Sequence, residues 1–490
     1  MAGYEGLSRT ELLRLLGERD AEIAELKTVN AELAGRVGRL ERLVSRNSGN
    51  SSMPPSGDDA PGRAKPASKQ QDKKRSGRRR GKQPGAGGQT MEWVSDPDEQ
   101  KPHRPEGSCG CGADLAGAAD VGVERSHQVH DLPQVAIKVT QHDVWRVRCA
   151  CGKEHVGTLP DQVSSAPASY GLNLKSLAVY LLIYQHVPTE RCTALIADWT
   201  GSRAPSTGFI HSMLARTAAC LTGVIKLIKT AITAAAVAGF DETTIRAGDA
   251  GCKDYVLSAS TETATVYHLG GRDLGSFTDF GILPGFAGIA VHDRYAAYFC
   301  DWWKHLAGHQ VCAAHLLRDF QDAAEHYPDA IWPVQAQRAL RGLIRAWHTA
   351  RNAGQSAIPA KTSDPLITEF AQAVLVGLSA VPRIPGPRHR TAQRPGRELL
   401  EFCSDRQADV LRFCTDTRVW PTNNISERHL RPTKTQQKIS GRFTSEEITQ
   451  DRLDIRSYID TARKNGINVL AALRDALAGN PWQPPSAAPT

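Results

Sequence analysis

No apolar run in this 490-residue sequence approaches membrane-spanning length. The longest, Ser176 to Tyr184, covers about nine residues where a bilayer asks for roughly 20, so a helical membrane protein is not expected. A secretory leader is not expected either: Glu5, Glu11 and Glu18 interrupt the first apolar positions, whereas a signal opens basic and then turns apolar. A cytoplasmic location follows as the expectation. The 11 cysteines lack the even count of a disulfide framework, which favours free thiols and metal ligands.

What is present is a chain several times the size of one domain, with 40% hydrophobic and 23% charged residues, a globular composition with room for disorder. The net charge of +8 is concentrated in one place. Arg63, Lys65, Lys69, Lys73, Lys74, Arg75, Arg78, Arg79, Arg80 and Lys82 share one short segment with a single acid, Asp72, and the remainder is close to neutral. Such a run is either a solvated linker or an arm that neutralises phosphates.

Five segments precede or follow a central catalytic candidate. Residues 1–47 carry a heptad, with Leu16, Ile23, Asn30, Val37 and Val44 at position a and Leu12, Leu26, Leu33 and Leu40 at d, Arg19 being the charged exception. Branched residues at a and Leu at d predict a parallel coiled-coil dimer, with Asn30 fixing the register. Residues 48–90 are Ser, Pro, Gly, Lys and Arg with almost no large apolar side chain, and predict a disordered basic linker. Residues 91–165 hold two matching knuckles, Cys109-Gly110-Cys111-Gly112 and Cys149-Ala150-Cys151-Gly152. Four thiolates on two turns can close a tetrahedron around Zn²⁺, with His127, His130, His142 or His155 as alternative ligands. The odd-numbered apolar positions Ile137, Val139, Trp145 and Val147 predict half-buried strands between them, as in a zinc ribbon. Residues 166–236 read as helices over Leu172 to Tyr184, over Glu190 to Trp199, and from Thr207 onward behind a Ser206 or Thr207 cap. They suit either a helix-turn-helix or ordinary helical packing. Residues 441–490 form a C-terminal helical segment.

Between these lies the region 237–440. Val237 to Arg246, Asp254 to Ser260 and Thr263 to Leu269 predict three strands, a helix follows Arg272, and Gly288 to Val291 predicts a further strand. That is the opening order of an RNase H-like fold, a mixed sheet flanked by helices. It calls for one carboxylate on the first strand and one at the end of the fourth, where Asp241 and Asp293 stand. Strand alternation lets only one of Asp241 and Glu242 face the site. The long stretch from Asp293 predicts a mostly helical insertion at about 305–415. The fold class is thus α+β and multidomain.

Several motifs together resemble the insertion-sequence-66 family of bacterial DDE transposases. They are Gly239-Phe240-Asp241-Glu242-Thr243, Val291-His292-Asp293-Arg294-Tyr295-Ala296-Ala297-Tyr298 and Asn423-Asn424-Ile425-Ser426-Glu427-Arg428-His429-Leu430-Arg431-Pro432. Asn47 to Ser56, Asp131-Leu132-Pro133 and the stretch from Ala462 through Asn465-Gly466-Ile467-Asn468 extend the likeness to both ends. The resemblance implies an insertion-sequence transposase with Asp241, Asp293 and Glu427 as catalytic metal ligands, and because it matches Asp241 it leaves Glu242 outward. Two Mg²⁺ ions, with Mn²⁺ able to substitute, then support DNA cleavage and strand transfer. Asp293 could instead cap the next helix, and Glu427 could close a capping box with Asn424, after which Pro432 would limit or kink the helix. Val311-Cys312-Ala313-Ala314-His315-Leu316-Leu317-Arg318 resembles a Cys-x-x-His-x-x-Arg segment of the family, making His315 and Arg318 accessory candidates; the plainer reading is a buried Cys and a hydrogen-bonded His. Trp302 and Trp303 suit base stacking or core packing.

Arg75, Arg78, Arg79, Arg80, Lys82, Arg428 and Arg431 are the DNA-contact candidates. The implied partners are double-stranded DNA, as terminal inverted repeats and target, a second or further copy of the chain through the coiled coil, and accessory transposition proteins. No membrane partner is expected, and the location becomes cytoplasmic and nucleoid-associated. A non-catalytic, domesticated DNA-binding protein and a structure-selective RNase H-fold nuclease are the alternatives.

Overall fold

The computed structural model describes residues 8–45, 91–160, 163–249, 254–386, 392–443 and 445–485. The basic arm, including Arg75, Arg78, Arg79, Arg80 and Lys82, lies outside them. Helix α1 (Arg9–Ser45) runs the length of the heptad. Leu16, Ile23, Leu26, Leu33, Val37, Leu40 and Val44 along its a/d stripe are all exposed, so none of the described residues covers that seam.

Contacts divide the chain into two units. In the smaller, Lys69–Val139 with Trp199–Ser202, the first knuckle closes through Cys109 N–H to the Ala113 carbonyl and Gly112 N–H to the Cys109 carbonyl, both at 2.8 Å. Gly112 has φ of 91°, a left-handed value that a side chain would strain. In the larger unit, strands β1 (Arg146–Arg148) and β2 (Glu154–Val156) form an antiparallel hairpin whose tip is the second knuckle. The same turn recurs there, with Gly152 N–H on the Cys149 carbonyl at 2.8 Å and Gly152 at φ 85°. The half-buried strands expected around it are not present: Trp145 and Val147 are 75% and 58% exposed, and 137–139 belong to no strand. A three-residue hairpin has no second layer to cover its apolar side chains.

The rest of the larger unit is built on one five-stranded sheet in the order β5-β4-β3-β6-β7. The strands are β3 (Val237–Ile245), β4 (Asp254–Ser260), β5 (Thr265–Gly270), β6 (Ile289–His292) and β7 (Gly308–Val311). β3, β4 and β5 pair antiparallel, while β6 and β7 run parallel to β3. β3 is central and covered on both faces. Ala238, Phe240, Leu257, Ala259 and Ala290 point into one core, and Val237, Val291 and Val311 into another, the two-residue alternation of a pleated strand.

On the first face lie α2 (Leu172–Val179), α4 (Thr207–Thr233), α5 (Leu274–Phe280), α12 (Glu446–Lys464) and α13 (Val469–Leu477), joined by Ile196 and Cys192 of α3 (Thr189–Thr200). Ser206 caps α4 by accepting the Phe209 N–H at 3.1 Å. The buried residues of α2, α3 and α4 share the sheet's core. α4 is long and apolar enough to cross a membrane, yet Ile210, Met213, Leu214, Leu221, Val224 and Ile228 are buried in that core.

The second face carries α6 (Ala313–His326), α7 (Trp332–Asn352), α8 (Ala360–Ala380), α9 (Arg397–Asp405) and α10 (Gln407–Leu411). These are the helices of the expected insertion, but its range also swallows β7, a sheet strand of four residues too short to show its own periodicity. α11 (Asn424–Ser440) completes this side. Pro432 does not end it, because Leu430 and Gln436, buried on either side, hold the helix against the sheet.

Candidate active site

The site begins with the way α11 meets β3. A Cβ on Gly239 would stand 2.6 Å from both Asn423 Oδ1 and Ser426 Oγ, so only glycine lets the helix start sit against the strand. Asn423 then ties three elements together. Its side-chain amide donates to the Phe240 carbonyl at 2.6 Å and its backbone N–H to Cys312 Sγ at 3.1 Å, while Ala313 N–H donates to the Pro421 carbonyl at 2.8 Å. Two residues along the same face of β3 stands Asp241. The end of β6 delivers Asp293 and the first turn of α11 delivers Glu427.

These acids load one another. The Asp241 carboxyl is pushed well above the ordinary carboxylate range, first by burial and then by the negative charges of Glu242, Glu427 and Asp293. β6 runs parallel beside β3 with Gly239 paired to Val291, and the start of α11 sits against β3 at Gly239, so residues far apart in sequence converge here.

Asp293 does not cap the next helix, a 3-10 turn at Ala296–Phe299 whose N-cap is Tyr295 with no side-chain cap bond; its Oδ1 instead accepts the Tyr295 N–H at 2.8 Å. Its Oδ2 receives Arg272 Nη2 at 3.3 Å, and the carboxyl is raised by burial against the lowering effect of that N–H and of Arg272. Glu427 makes no capping box, since Asn423 has no side-chain cap bond and the Glu427 carboxylate turns toward α6. Its Oε1 lies 3.6 Å from Arg318 Nη2 and 3.7 Å from His315 Nδ1, beyond hydrogen-bond reach, and is buried without a hydrogen-bond partner.

Cys312, His315 and Glu427 each bring a ligand atom to within 4.8 Å of the others. Cys312 is fully buried, its thiol raised to about 11 by burial, and it accepts the Asn423 N–H. His315 is held neutral, its pKa lowered to about 4 by burial and by Arg318 and Arg294. The buried-Cys reading therefore holds, whereas the His315 Nδ1 lacks the hydrogen bond expected of it.

Glu427 Oε1 is buried with an ion pair to Arg318 at 3.6 Å and no hydrogen bond, beside an Asp241 that three other acids repel. Hard oxygen ligands of this kind fit a divalent cation. Arg428 and Arg431, the DNA-contact candidates on α11, are exposed. Trp303 is core, donating Nε1 to the Ala297 carbonyl at 3.0 Å, and Trp302 is 59% exposed.

The expectation for Glu242 is overturned. Its side chain is 2% exposed rather than outward, because the face of β3 opposite Asp241 is also roofed. Arg272, which it contacts, stands in a polar turn after β5, where no motif or periodicity marks it as a site residue. In the knuckles, the Cys111 thiol is lowered by hydrogen bonds from the Ala113 backbone and from Cys109, and Cys149 likewise by the Cys151 backbone and side chain. Each pair therefore presents two thiols side by side, the half-site a thiolate metal centre needs.

Two family models match the chain. One, described as "Transposase IS66 family", covers residues 168–451. The other, a family of unknown function (DUF6444), covers residues 9–92, which include the heptad helix and the whole of the basic arm. No curated protein matches the chain.

Proposed function

The chain belongs to the IS66 family of transposases, and from that premise we propose that it cuts and joins DNA at a DDE centre made by Asp241, Asp293 and Glu427 on an RNase H-like sheet. The observation that carries this reading is the placement of Asp241 on β3, Asp293 at the end of its parallel neighbour β6, and Glu427 in the first turn of α11, which sits against β3 at Gly239. The strand order, with two parallel strands beside an antiparallel trio, supports the fold assignment.

Asp241, Asp293 and Glu427 would hold a pair of Mg²⁺ or Mn²⁺ ions. Such ions supply Lewis acidity that activates a water or a 3′-hydroxyl and stabilises the leaving oxygen of an in-line displacement. The chain's own residues arrange the rest. Gly239 and Asn423 fix the approach of α11, whose first turn carries Glu427. Neutral His315 and cationic Arg318 flank Glu427 on α6 and leave its Oε1 free of a competing hydrogen bond. Exposed Arg428 and Arg431, on the same helix, offer guanidinium forks to backbone phosphates. The basic arm at 63–82 adds sequence-independent affinity, the cysteine knuckles a structural Zn²⁺, and α1 a second copy of the chain, so that two DNA ends meet in one complex.

The test is strand transfer with the element's terminal repeats in Mg²⁺. Asp241→Ala, Asp293→Ala and Glu427→Gln should each abolish joining while gel-shift affinity for the repeats stays close to wild type. Joining by any one of them would remove that residue from the centre.

A further inference from the structure

Beside the three acids stands a closed ring of contacts that the chemistry above does not use. Glu242 accepts Arg272 Nε at 2.6 Å and the Tyr298 hydroxyl at 2.8 Å. Arg272 reaches on to Asp293 Oδ2 at 3.3 Å. Its guanidinium lies 4.0 Å above the Tyr295 ring, whose hydroxyl donates to the Arg272 carbonyl at 2.7 Å. Tyr295 closes the ring by donating its N–H to the other Asp293 oxygen at 2.8 Å. Both oxygens of Asp293 are thus held, one by backbone and one by a guanidinium that is itself pinned by an acid and an aromatic face.

We infer that Glu242, acting through Arg272, is a positioning residue for Asp293. Arg272 sets the carboxylate's orientation, and Glu242 cancels Arg272's charge so that the guanidinium does not repel an incoming cation. This deepens the reading of Asp241, Asp293 and Glu427 as metal ligands and rests on it.

The argument is one of geometry and charge balance. A buried carboxylate and a guanidinium at 2.6 Å form a pair whose net charge is near zero, and a planar fork can grip two carboxylates at once. Remove either partner and the other is left as an uncompensated charge beside Asp293. The two removals therefore act on cation affinity with opposite sign, which a purely structural role does not produce.

The experiment is a titration of the full-length protein, free of DNA, with Mn²⁺ alone, reading unbound Mn²⁺ by electron paramagnetic resonance. Glu242→Gln should weaken Mn²⁺ binding by about tenfold and Arg272→Gln should strengthen it by about tenfold, as expected of one unit charge at this range. The Glu242→Gln/Arg272→Gln double variant should return to within about threefold of wild type. Strand transfer at saturating metal should fall in all three, since Asp293 is no longer held. Arg272→Lys keeps the charge and loses the fork, so its affinity should match wild type while its rate drops; with the isosteric Glu242→Gln it suffices if Arg272→Gln does not fold. Single variants whose affinities stay within about twofold of wild type, or shift in the same direction, would overturn the inference. Asp241→Asn and Glu427→Gln serve as the separate control: if they leave Mn²⁺ binding intact, it is the assignment of the ligands that fails.

Discussion

Replacing Asp241 by Asn should make the metal-free protein more stable, and the gain should invert when metal is added. The wild-type carboxyl holds its proton to higher pH than it does in the unfolded chain, because burial and the charges of Glu242, Glu427 and Asp293 oppose its ionisation. For an acid raised in the folded state, ionisation favours unfolding: the penalty is absent below the unfolded-state value, grows as pH rises, and is complete above the folded-state value. Removing one such repelled acid falls among the stabilising substitutions of about 2 kcal/mol. For a body of this size that raises Tm by about 4 °C at neutral pH, and the difference should shrink toward zero as pH falls to about 4. A cation present at about 100 times its Kd stabilises the wild type by about 2.7 kcal/mol, enough to reverse the order of the two proteins. Differential scanning calorimetry in a chelator and in excess Mn²⁺ measures both. An Asp241→Asn variant less stable than wild type in chelator, or a wild type whose Tm ignores Mn²⁺, would refute the reasoning.

Other perturbations probe the remaining parts. Gly239→Ala places a methyl 2.6 Å from Asn423 Oδ1 and Ser426 Oγ, so it should cost about 1–3 kcal/mol in urea denaturation and cripple strand transfer by displacing α11; an unchanged midpoint would contradict the close approach. Deleting residues 1–46 should convert a dimer to a monomer in multi-angle light scattering, and an unchanged mass would remove the role given to the exposed seam of α1. The full-length protein should carry about one Zn²⁺ per chain by atomic emission. That zinc should be lost on replacing Cys149 and Cys151 by Ser, and retention would mean that other ligands hold it.

Much of the sheet was legible because its strands are long enough to show a period. Asp254–Ser260 forms as expected, and β3 ends one residue before the predicted Arg246. Asp241 and Asp293 fall where the strand order calls for acids, but the choice of Asp241 over Glu242 rested on the family's pattern, as did Glu427, whose spacing to Asn424 mimics a cap that the helix does not use. Alternation correctly set Asp241 and Glu242 on opposite faces. It misled about Glu242 only because a two-residue period says nothing of whether the second face is covered, which depends on Phe240 meeting Phe286 and Tyr298. Arg272 was illegible for a similar reason. Its partners Glu242 and Asp293 lie on separate strands, and a polar turn carries no sign of what it will touch. β7 is too brief to register against the helices around it, and Pro432 looked like a stop because local sequence does not reveal the packing of Leu430 and Gln436.

The most direct measurement is anomalous diffraction from crystals of the full-length protein soaked in Mn²⁺. Anomalous density shared by the carboxylates of Asp241, Asp293 and Glu427 is the predicted result. Crystals with Mn²⁺ bound elsewhere and the three acids bare at saturating concentration would contradict the account.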